Sequence, residues 1–228
     1  METISDILSF MAGLPSLIGL ILAAAIIFLA ADWRPSLAAL LIQYILAGMA
    51  LSPSIRQEVV IVKILAGVLA VAILYLSARL IPQAPAAEAA AGETRRFLLL
   101  HIDWTAGPLG LPLRFLAVLM VALGVFRLFQ GYQPTLVPAD LALAACWMGG
   151  MGLLGLILSG DPLRVAPAVL TILSGFDLAY ASLDQNLAVA GLFGVLTLLA
   201  ALGFSYLILV PAPGSDQAGP DSKEESGV

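Results

Sequence analysis

The amino-acid sequence predicts an all-α protein, a polytopic bundle of transmembrane helices with about seven spans. Three observations predict it. Of 228 residues, 61% are hydrophobic and only 11% charged, with a mean hydropathy of +1.04, against about 45–50% apolar and about 25% charged in soluble domains. The apolar residues gather in runs long enough to cross about 30 Å of hydrocarbon, which takes roughly 20 residues of helix. Those runs lack the two-residue alternation of outer-membrane strands, and lipid leaves only helices and closed barrels as ways to satisfy the backbone.

The elements follow in chain order. The first span covers residues 14–31 and is stopped by Asp32 and Arg34. The second, 37–51, begins after Pro35 and is short. The third, 59–81, starts beyond Arg56 and Glu58. Residues 82–94 are rich in Ala, Pro and Glu and read as a flexible loop; residues 95–104 begin Arg95-Arg96 and end in Trp104, and read as an interfacial segment. Together 82–104 form a cytoplasmic connection. The fourth and fifth spans, 111–130 and 136–159, carry Pro112 and Pro138 near their starts, where a missing amide donor costs little. Two more, 162–183 and 186–210, complete the bundle. Residues 211–228 hold Pro, Gly, Ser and charges but almost no large apolar side chain, so they cannot offset the entropy of ordering and are expected to be a disordered cytoplasmic tail.

The formal charge of −5 resides mainly in the N-terminal residues, the central loop and the tail, so it describes exposed segments and offers nothing to nucleic acid. Basic residues set the orientation. If the N-terminus lies on side A, seven spans put Arg34, Arg79, Arg95, Arg96, Arg114, Arg164 and Lys223 on side B, against Arg56, Arg127 and the slightly deeper Lys63 on side A. The positive-inside rule makes B cytoplasmic, with the N-terminus outside. The N-terminus carries Glu2 and Asp6 instead of a basic region, so no cleavable signal peptide is expected. Cys146 sits in an apolar run without an intrachain partner and reads as a small hydrophobe. Trp33, Trp104 and Tyr132 flank spans and read as interfacial anchors.

Laid over one another, the first three spans and the last three align with an offset of about 129 residues, which a tandem duplication would give. Asp32 to Arg34 then falls on Asp161 to Arg164, and Gln57 falls near Gln185. One reading of this alignment is two parallel three-helix repeats joined by one helix; the other is that two hydrophobic three-helix segments align with a few coincident loop charges.

Ionisable groups at bilayer depth cost about 2.5–3.5 kcal/mol on insertion scales, so they are the first places to look for function. Asp177 is the clearest, with Lys63 and Arg127 at similar depth on side A. An intramembrane charge pair or proton relay of Asp177 with Lys63 or Arg127 is one reading. In the other, the two cations snorkel to the headgroups and Asp177 is satisfied locally. Gln43, Tyr44, Thr171 and Ser174 are candidates for interhelical hydrogen bonds, and Gly149, Gly150, Gly152, Gly155, Gly191, Gly194 and Gly203 for close helix contacts. No catalytic residue is expected: His101 and Asp103 lack further ligands for a metal, and no phosphate loop, nucleophile elbow or cofactor motif occurs. The sequence therefore predicts no enzyme, cofactor or metal.

The stretch 152–180, from Gly152-Leu-Leu-Gly through Ser159-Gly-Asp-Pro-Leu-Arg164 to Asp177-Leu-Ala-Tyr180, together with the span after it, resembles the small three-helix K-type subunit of respiratory complex I. Similar subunits occur in multisubunit cation/proton antiporters and membrane-bound hydrogenases. The resemblance covers about 60 residues, and about 50 more through the repeat. It implies an accessory or structural membrane subunit, possessing an external N-terminus, that packs in a bacterial plasma membrane beside antiporter-like subunits as well as lipid. The family's relay glutamates are missing: the equivalent second-helix position falls near Leu170 or Thr171, and the last span has no acid. A competing class is a stand-alone small-solute transporter or permease component built on the duplication, which would need a polar pocket near the midplane.

Overall fold

The computed structural model describes residues 14–30, 32–52, 55–80, 110–131, 137–159, 161–184 and 186–210. These form seven α-helices, here α1 (Leu14–Leu29), α2 (Trp33–Leu51), α3 (Gln57–Leu80), α4 (Gly110–Gly131), α5 (Ala139–Leu158), α6 (Pro162–Leu183) and α7 (Leu187–Leu209). Six of them, α2 to α7, are long and apolar enough to cross a membrane; α1 is a shorter apolar helix of 16 residues. The protein is thus a multi-pass membrane protein of all-α architecture. The loop and interfacial segment at 82–104, the tail, His101, Asp103, Trp104 and Tyr132 lie outside the described residues.

Local chemistry sets the helix ends. Asp161 accepts a hydrogen bond from the Leu163 amide at 3.2 Å and Pro162 opens α6, a position where its missing donor is not needed. Asn186 caps α7 by accepting from the Ala188 amide at 3.0 Å. At α2 the helix starts at Trp33, four residues before the expected 37. Pro35 does not stop it, because amides in the first turn have no carbonyl to bond, so Pro there forfeits nothing.

Helix ends repeat along the chain. Leu29 and Leu158, Trp33 and Pro162, and Leu80 and Leu209 end or begin corresponding helices, each pair separated by 129 positions. The other corresponding ends depart: α5 starts at Ala139, before the counterpart of Leu14, α7 starts at Leu187, one residue after the counterpart of Gln57, and α6 runs to Leu183, beyond the counterpart of Leu51. Each helix of the first triplet also packs on its own counterpart: α1 on α5, α2 on α6 and α3 on α7. Sequence neighbours pack within each triplet, which gives two rows of three helices face to face. α4 stands at the outer end of the rows, against α5 and α1.

The cross-row pairs are parallel and nearly in register. A Cβ on Gly194 would lie 3.4 Å from the Ala66 methyl, and the Ser77 and Ser205 hydroxyls are hydrogen-bonded; both contacts join α3 and α7 at a separation of 128 residues. The Trp147 indole donates to the Ile21 carbonyl at 3.1 Å, joining α5 to α1 at a separation of 126. Touching positions therefore almost coincide with equivalent positions of the repeat.

Between the helices the apolar core divides in two. One cluster, with Leu20, Leu51, Val59, Met148, Met151 and Leu178, fills the side A half. The other, with Leu37, Leu40, Leu74, Ala166, Leu170 and Ala201, fills the side B half. The expected glycine stretch on α5 also divides. A methyl on Gly152 would meet the Ile172 side chain and, at 2.8 Å, the Ala168 carbonyl, so this glycine sets the α5–α6 approach, whereas Gly149, like Gly191 and Gly203 on α7, faces open space. Outside, the bundle presents Leu, Ile, Val and Phe, as a lipid-facing surface must, and Cys146 lies on that exposed face. Trp33 contacts the Tyr75 ring, with Arg34 and Arg79 over the two aromatics, an anchor of the kind found at membrane interfaces.

Candidate functional site

Lys63 lies six residues after the start of α3 and Asp177 six residues before the end of α6, which puts both about 9 Å inside side A. Equal depth on helices of opposite direction, diagonal across the two rows, lets the long lysine stem reach the carboxylate. The ammonium is 3.0 Å from Asp177 Oδ2 and also donates to the Asp177 carbonyl at 3.0 Å. With side chains only 8% and 15% exposed, the pair is internal. A lysine stem is long enough to carry its charge outward to headgroups; here it turns inward instead. Arg127, the other cation expected near Asp177, is exposed on α4 at the far end of the bundle and takes no part in the pair.

The pair joins the two rows, since α3 belongs to the first triplet and α6 to the second. Each charge alone would be costly at this depth, and together they satisfy one another. Removing one partner is far more damaging than removing both, because the survivor stays buried and uncompensated.

Tyr44 of α2 and Thr197 of α7 extend the site inward. The Tyr44 ring lies against Gly67 of α3, where no larger residue would fit, and its hydroxyl donates to the Leu170 carbonyl of α6 at 3.3 Å. Thr197 donates to its own helix, at Phe193, over 2.8 Å, and stands beside the phenol; Asp177 is near enough to act on the phenol electrostatically. Four helices, α2, α3, α6 and α7, thus converge an ammonium, a carboxylate, a phenol and a hydroxyl at the row interface.

Gln43, next to Tyr44, is fully buried. Its amide nitrogen donates to the Met148 sulfur of α5 at 3.3 Å, and its Oε1 has no partner among the described residues. Of the four residues expected to bond between helices, Gln43 and Tyr44 do so. Thr171 bonds within its own helix, to Pro167 at 2.8 Å, because a threonine hydroxyl in a helix readily reaches the carbonyl four residues back. Ser174 is buried on the same face. Thr197, Trp147 and the Ser77–Ser205 contact escaped the reading of the sequence. For Trp147 and the two serines the repeat offset carried a signal, since polar groups about 126 to 129 residues from a helix of the other triplet were candidates for cross-row bonds.

Chemically, this arrangement can hold charge, exchange a proton between a carboxylate and neighbouring groups, or part to admit a cation. Among the described residues, no three His, Cys, Asp or Glu side chains gather as metal ligands. No family model, curated protein or solved structure matches the chain.

Proposed function

We propose that the chain is an accessory or structural membrane subunit of a complex I-like or antiporter-like proton-translocating assembly, performing no reaction of its own. The observation that supports this reading is the internal Lys63–Asp177 pair, at bilayer depth and between the two triplets. Intramembrane ionisable pairs facing a bundle interior are the usual elements of ion pathways and proton relays. Protonating Asp177, or drawing Lys63 away, would release the only charged link seen between the rows among the described residues, so the pair can respond to a proton or to charge movement in a neighbouring subunit. In this reading side B faces the cytoplasm of a bacterial plasma membrane, and lipid and antiporter-like subunits cover the outer surface.

The experiment is purification of the tagged chain from native membranes under mild detergent, with identification of what accompanies it. Large antiporter-type membrane proteins should co-purify, and Asp177→Asn should lower proton translocation by the intact assembly. A chain that purifies alone, with translocation indifferent to Asp177→Asn, would overturn the proposal.

A second reading, a stand-alone small-solute transporter, draws on Gln43, Tyr44 and Thr171, buried near mid-depth where the two triplets meet. Repeat proteins place substrate sites at such positions. Uptake by the pure protein in liposomes would separate this reading from the first.

A further inference from the structure

Gln43 is ten residues into α2 and eight from its end, so it sits near the middle of its span. There the side A and side B apolar clusters meet, with α2 of the first triplet packed on α6 of the second and reaching α5 through the Gln43–Met148 hydrogen bond. The side chain is 0% exposed, yet only half of its amide is bonded, and that half to a thioether sulfur, a weak acceptor. Exchanging the amide's oxygen and nitrogen leaves the nitrogen's donors unmet and sets oxygen against sulfur, which is worse. A buried amide oxygen in a low dielectric strongly favours finding a donor.

Its surroundings define what can supply one. Gln43 touches Met148, whose Cβ is 3.0 Å from where a Cβ of Gly175 would be, and the adjacent Tyr44 bonds the Leu170 carbonyl. Gln43 is therefore beside the segment 170–175 of α6, which carries the buried hydroxyls of Thr171 and Ser174. Thr171 uses its proton on Pro167 and keeps its lone pairs. An internal water needs two to four polar partners, and an amide oxygen with neighbouring hydroxyls meets that requirement.

We infer that a water molecule binds at the junction of α2, α5 and α6, donating to Gln43 Oε1 and held by the α6 hydroxyls. The inference does not rest on the proposed function, since the amide oxygen needs a donor whatever the protein does.

The test is radiolytic hydroxyl-radical footprinting of the full chain in lipid nanodiscs, in which radicals form from water in place and oxidise the nearest sulfur. Met148 and Met151 are 0% and 2% exposed, so lacking internal water they should react alike. The expected result is several-fold faster oxidation of Met148, lost in Gln43→Leu. Equal rates in the wild type, or an unchanged Met148 rate in Gln43→Leu, would overturn the inference. Gln43→Met, which keeps the volume, supplies a second readout. An unpaired amide predicts that this variant melts higher, by about 3 °C, whereas a hydrated one predicts no rise.

Discussion

At one end of the bundle α3 lies along α7; at the other, α4 rests on α5 and α1, with Val125 its one buried residue among those described. Both helices are long and apolar enough to span a membrane. They differ in what they do with polar side chains. Lys63 and Ser77 of α3 turn inward to Asp177 and Ser205, while Arg127 of α4 points outward. Because lipid tails are as apolar as leucine, hydrophobicity places a helix in the bilayer without giving it neighbours; small residues and hydrogen bonds do that. The α3–α7 end has both, through Gly194 against Ala66 and the paired serines. On α4, Gly124 and Gly131 face open space.

The largest expected contrast concerns the charges at the two ends. Lys63→Ala should destabilise the protein by about 3–5 kcal/mol, by stranding Asp177, as read from unfolding in detergent. Arg127→Ala should stay within about 0.5 kcal/mol, as for a surface position. The double variant Lys63→Met with Asp177→Leu should recover most of the loss. Equal effects of the two single changes would break the comparison.

Next come the glycines. Gly152→Ala should cost about 1–3 kcal/mol, because its methyl meets the Ala168 carbonyl, a backbone atom that cannot turn aside. Gly124→Ala should be neutral or stabilising by up to about 1 kcal/mol, since helices favour alanine and nothing lies in the way. Thermal melts of the two variants measure the difference.

Smaller effects probe the cross-row bonds. Trp147→Phe removes the indole donor to Ile21 and should lose at most about 1.7 kcal/mol, typical of the stronger bonds between membrane helices. For Ser77→Ala and Ser205→Ala, a double-mutant cycle should give a coupling near ~0.6 kcal/mol. A coupling of zero would mean that the hydroxyls merely sit together.

Much of the architecture was legible in residues. Asp32 and Asp161, offset by 129, marked the same turn in two triplets, and the helix ends on either side of that turn keep the offset. The start of α2 was not legible, since Pro35 resembles a stop until it is known to occupy the first turn. For the site, depth alone set Lys63, Arg127 and Asp177 on one side, and the choice between the two cations required knowing which of them faces the bundle interior. Thr197 and Trp147 were hidden among apolar residues, where nothing local distinguishes a packed hydroxyl or indole from a lipid-facing one.

By itself, the sequence determined that the chain enters lipid and that its backbone is helical, because these depend on transfer energy and on the length of the apolar runs. Tertiary structure alone decided that repeated helices face one another in parallel register, that Lys63 and not Arg127 meets Asp177, and that Gln43 is enclosed with its oxygen unbonded. Those outcomes depend on which helix faces touch, and in a bilayer that choice is governed by a few glycines and polar groups instead of by the hydrophobicity that the sequence displays so plainly.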